Sequence, residues 1–182
     1  MCRTDAAATA AAIAWFRREW PGAGAAGAAG AGHPALAGCE DADWPNAGVP
    51  VLLRSLLDQE AGPEAVRVLG NALMASPLHL GCAMPTALPF LIRLAADPTV
   101  PVRSRIIELL VVAVELSEPV DPADSAAITL LGSEEARPER ARCRAALTAH
   151  ADALRVLLRA GAVPDEVLGA EDRESLRRAC GR

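Results

Sequence analysis

The sequence predicts an all-α chain: a short α-solenoid of about three stacked antiparallel helix pairs, preceded by an extra N-terminal helix. Three observations predict it. From residue 49 onward, apolar residues recur mostly at three- and four-residue spacing. Short connections built on Pro and Gly separate those runs. Hydrophobic residues make up 52% of the chain but aromatics only 3%, so much of the apolar content is alanine, which favours helix and close packing. A length of 182 residues suits a single sizeable core.

Residues 1–20 read as the N-terminal helix, with Thr4 or Asp5 as cap and Ile13, Phe16 and Trp20 as an apolar seam. Arg17, Arg18 and Glu19 follow the apolar run instead of preceding it, which argues against a secretory signal. Residues 21–45 read as a Gly/Ala-rich linker, because Gly this dense resists helix, with Trp44 folding back onto the domain edge. The helical domain is expected over residues 46–182.

Within it, Val49, Leu52, Leu53, Leu56 and Leu57 share one helical face, and Gly62-Pro63 ends that run. Pro63 opens a second helix running to Ala75, with Val66, Leu69, Leu73 and Met74 facing inward. Ser76 to Cys82 is read as a loop. A further pair follows, from Met84 to Ala96 and from Pro101 to Leu116. Asp97-Pro98 ends its first helix, since the residue before proline disfavours the α region. Its second helix is apolar nearly all round except for Glu108 and Glu115, and so is expected to be buried on more than one side. The Ile-Ile and Val-Val steps also occur in strands, but length and the lack of alternation favour helix. Residues 117–133 form a loop-rich insert with one short helix near 123–131. Helix returns from Glu134, turns near His150 and ends before Pro164. A polar helix, Glu171 to Ala179, closes the chain as a cap with a wet outer face.

The run from Ala87 to Leu110, A-L-P-F-L-I-R-L-A-A-D-P-T-V-P-V-R-S-R-I-I-E-L-L, resembles HEAT-like (armadillo-type) helical repeat proteins of high-GC actinobacteria. Pro89, Asp97-Pro98 and Arg103 stand at that family's marked positions, and Cys143 to Leu158 resembles another helix pair of the same group. The resemblance covers less than half of the chain. It implies a solenoid that binds another macromolecule and says little about activity. Residues 76–81, S-P-L-H-L-G, are similar to the T-P-L-H-x-A signature of ankyrin repeats, but carried forward the register fails, since Arg93 falls on a core leucine position.

Composition excludes several chemistries. All 18 basic residues are arginine. That removes the phosphate-loop lysine, the Schiff-base lysine and the usual kinase lysine. No cofactor is expected. The formal net charge is −5: residues 1–133 carry 8 Arg against 14 acids, and residues 134–182 carry 10 Arg against 9. Neither part has the basic excess of a nucleic-acid binder. The five cysteines are scattered, with no C-x-x-C, and read as reduced thiols in a cytoplasmic protein. His79 and Cys82 lack the spacing of a zinc site, and Cys143 and His150 are two helical turns apart, too far to form a nucleophile pair.

Arg137, Arg140 and Arg144, interleaved with Glu135 and Glu139, are expected as a solvated, self-paired face. The candidate binding residues are His79, Arg103, Glu108 and Glu115. The expected function is a non-enzymatic scaffold or immunity-like module gripping a protein or peptide partner, basic in character if it meets an acidic groove. The alternative is an enzyme or accessory protein of a specialised biosynthetic pathway that holds a small molecule in its concave face. Neither nucleic acid nor a membrane is an expected partner.

Overall fold

A computed structural model describes residues 6–23, 32–159 and 161–181. Thr4, Asp5 and residues 24–31 of the Gly/Ala tract lie outside the described residues. Among those described the chain is all-α, with one two-stranded sheet.

Helix α1 (Ala6–Glu19) buries Ile13 and Phe16, as the seam requires. Helix α2 (Val49–Ser55) is shorter than its apolar face implies. Ser55 turns its hydroxyl back to the Val51 carbonyl at 2.8 Å, and the chain leaves through tight turns. Asp58 then accepts the backbone N–H groups of Glu60 and Ala61, both at 2.8 Å, and so prepares the start of α3 (Gly62–Leu73). Helix α1 packs on α3, and α3 on α2.

Residues 74–80, expected as helix end and loop, form a hairpin instead. Strands β1 (Met74–Ser76) and β2 (His79–Leu80) pair antiparallel around Pro77 and Leu78. Two local effects divert the chain. Ser76 precedes proline and is biased to extended backbone. Gly81 lies so close to the end of α3 that its N–H bonds the Leu73 carbonyl at 2.7 Å.

Helix α4 (Met84–Ala96) holds the centre, with α5 (Arg103–Ser117) beside it. Asp97 ends α4 in extended backbone, and its carboxylate takes the Thr99 N–H at 2.8 Å and the Thr99 hydroxyl at 2.7 Å. Helix α5 starts two residues after Pro101. It buries Ile106, Ile107, Leu110, Val111, Ala113 and Val114 on more than one side, while Glu108 and Glu115 stay exposed. The valine-rich stretch is therefore a packed helix, not a strand.

Helix α6 (Ser125–Leu131) is capped by Asp124 and buries none of its residues. Helices α7 (Pro138–Ala149) and α8 (Ala151–Leu157) turn at His150 and both pack on α4. Helix α9 (Ala170–Ala179) packs on α5 and buries Ser175 and Leu176.

The described part of the expected linker, residues 32–45, lies on α4. Ala35, Leu36 and Cys39 are buried in the core. The Trp44 ring sits 5.6 Å from that of Phe90, and Arg93 lies 4.8 Å over the same ring while donating to the Ala37 carbonyl at 3.1 Å. His33 meets Asp97 at 3.3 Å. The sequence gives these residues little periodicity because they are held by aromatic and polar contacts with a helix about 55 residues away, not by local pattern. One apolar cluster runs from Ile13 to Cys180 and joins these elements, α6 excepted.

Candidate functional site

Three helices supply the site, each through an i, i+3, i+4 set that places side chains on one face. Helix α5 and its exit give Val114, Ser117 and Glu118; α7 gives Arg144, Leu147 and Thr148; α9 gives Ser175, Arg178 and Ala179. Between them lies a groove of about 410 Å³. Val114 and Leu147 are buried at its base, and Thr148 and Glu118 are exposed at its edge.

Arg144 fixes one wall. Its Nη1 donates to the Ser117 carbonyl at 2.5 Å and its Nη2 to Glu134 Oε2 at 2.5 Å. That ties the end of α5 to α7 and to the segment before α7. The Arg144 hydrogen bond holds the Glu134 carboxyl below its ordinary range, against the opposing effect of burial. Arg178 forms the opposite wall. Its Nη2 donates to Glu118 Oε1 at 2.8 Å and to Ser175 Oγ at 3.1 Å.

The expected arginine face is only partly as predicted. Arg140 is buried, with 3% of its surface exposed, and lies 3.7 Å from Glu134 and 3.4 Å from the Gly132 carbonyl. Its hydrocarbon stem goes into the core and its charge meets Glu134, a residue outside the interleaved pattern.

The four candidate residues share no partner among the described residues. His79 sits in the hairpin, with Ser76 Oγ 2.6 Å from its Nδ1 and its ring beside the Leu131 backbone. Burial lowers its pKa first, and the charges of Arg137 and Arg140 lower it further. The imidazole, bonded to Ser76 and facing the Leu131 backbone, links the hairpin to the end of α6. Arg103 donates from Nε to the Ala95 carbonyl at 2.7 Å and from Nη1 to the Ala162 carbonyl at 2.9 Å, joining α4 to the loop after α8. Glu108 is exposed on α5. Glu115 stands near the groove, where its charge acts on Arg178.

The buried thiols are poor nucleophiles. Burial, aided by the Glu139 charge, pushes Cys143 up to about 12, and burial also raises Cys39 and Cys180. No group of three or more His, Cys, Asp or Glu side chains suited to a metal occurs among the described residues. No described helix is long and apolar enough to cross a membrane.

The groove was not among the predicted sites. Its signal in the sequence is the three mixed sets, V-x-x-S-E, R-x-x-L-T and S-x-x-R-A, each pairing one apolar or small residue with polar ones at helical spacing. Their convergence depends on α9 packing against α5 across about 60 residues, which periodicity does not report. No protein family, no curated protein and no solved structure matches this chain.

Proposed function

We propose that this chain is a non-enzymatic binding module of HEAT-like build, with α2/α3, α4/α5 and α7/α8 as its stacked pairs. Its groove between α5, α7 and α9 grips a short segment of a protein partner. The groove itself carries this reading. It has an apolar base of Val114 and Leu147, and arginines at its walls that are already held by Ser117, Glu134 and Glu118. An apolar floor with a polar rim is the usual anatomy of a peptide-sized interface.

The test is selection of random heptapeptides on the immobilised full chain, followed by affinity measurement with a groove-filling variant. Thr148→Trp places an indole at the exposed rim, where it disturbs no buried contact. The expected result is loss of the selected peptides by about tenfold or more with thermal unfolding unchanged. Peptides that bind Thr148→Trp as well as the parent chain contradict the reading.

The same volume favours a second reading. About 410 Å³ falls within the roughly 300–1,000 Å³ of small-molecule sites, as an enzyme or accessory protein of a specialised pathway requires. A compound-library thermal shift lost in Thr148→Trp, with no peptide selected, favours that reading instead.

A further inference from the structure

A carboxylate already occupies the polar end of the groove. Glu118, on the segment leaving α5, has a side chain 49% exposed and holds Nη2 of Arg178 at 2.8 Å. An ion pair this exposed contributes little to stability, so its exchange for another carboxylate costs little. We propose that the groove reads the free C-terminal carboxylate of a partner peptide whose last side chain is apolar, and that Glu118 is the internal stand-in which this carboxylate displaces. The inference rests on the peptide-groove reading above.

Three features fit that occupant. Among the described residues Arg178 makes its contacts through Nη2, which leaves Nε and Nη1 for the second oxygen of an incoming carboxylate. Ser175 Oγ, 3.1 Å from the same nitrogen, adds a hydroxyl beside the charged group. Next to this polar end lie Val114 and Leu147, an apolar floor for the terminal side chain. The opposite wall does not compete, because Arg144 is occupied by Ser117 and Glu134.

The charges around Arg178 set the limits of this recognition. Glu118, Glu174 and Glu115 all act on it. Glu174 and Glu115 weigh on an entering carboxylate as they do on Glu118, so the gain of the exchange comes from the second guanidinium contact beyond the one Glu118 makes through Oε1, and the apolar side chain supplies the rest of the affinity. A basic peptide is the opposite case: it is drawn by Glu118 and repelled by Arg178. Removing the Glu118 charge therefore moves the two ligands in opposite directions.

The experiment uses the full chain and a heptapeptide library displayed with free C-termini. The best binder is synthesised twice, as the acid and as the carboxamide, and titrated by fluorescence anisotropy. The acid is expected to bind about tenfold or more tighter than the amide. Glu118→Gln is expected to tighten the acid by about threefold, and Arg178→Gln to abolish the difference between acid and amide. Because the acid–amide comparison changes only the ligand, it does not depend on any variant folding. Equal binding of acid and amide, or weakening by Glu118→Gln, overturns the inference. If Thr148→Trp still removes that binding, the peptide groove stands without its carboxylate preference. If no peptide is enriched at all, the groove reading falls and this inference with it.

Discussion

At the scale of single residues, the arginines carry most of the long-range polar order. Arg103, Arg144, Arg155 and Arg173 each donate to a backbone carbonyl of a different segment. A planar guanidinium with five donors serves two segments at once, which a lysine ammonium does less well. Glu134 is the acid this network depends on, facing both Arg144 and Arg140. Its pKa lies below the ordinary 4.5 when folded. Its contribution to stability is therefore present above that ordinary value and is lost as pH falls through the lower folded one. Glu134→Gln is expected to lower stability by about 1–2 kcal/mol at neutral pH, partly because it leaves buried Arg140 short of its acid. In urea titrations at pH 7 and pH 3, the gap between parent and variant is expected to shrink at the lower pH. A gap that stays constant contradicts the assignment. The residue types in this network were legible in the sequence, but the partners were not. The pattern offered Glu135 and Glu139, and the fold chose Glu134.

At the scale of elements, legibility followed locality. The helix from Met84 to Ala96 has the expected bounds because a proline near its start and Asp97-Pro98 at its end are local signals. The turn at His150 and the short helix capped by Asp124 were legible for the same reason. The hairpin at 74–80 was missed because its cause is a close approach, not a period. A Cβ added at Gly81 would lie 2.7 Å from the Leu73 carbonyl oxygen and 3.1 Å from its carbon. That contact is with backbone, so a rotamer change cannot relieve it. Gly81→Ala is expected to destabilise the chain by about 1–3 kcal/mol and to lower the melting temperature by several degrees. A melting temperature unchanged or raised would show that the hairpin does not need this contact. In the segment at 32–45 the return of Trp44 to the domain edge was legible, but the contacts of His33 with Asp97 and of Arg93 with the Ala37 carbonyl were not, because no local pattern records a helix so far along the chain.

At the scale of the whole molecule, an all-α chain was legible from periodicity alone, since a sequence with this much helical spacing and few β-sheet signals has few other ways to bury its apolar faces. The groove was not legible, because it forms only where α9 returns to α5 and Arg144 draws the end of α5 toward α7. Other exposed apolar side chains compete with the groove as a docking point: Leu78 of the hairpin is 38% exposed and Leu130 of α6 is 58% exposed. Methyl-labelled NMR of the full chain during titration with a selected peptide distinguishes the two. With the peptide in the groove, shifts are expected at the methyl groups of Val114, Leu147, Thr148 and Ala179, saturating at one equivalent of peptide. Shifts centred instead on Leu78 and Leu130, with the groove methyls unmoved, would contradict the groove reading.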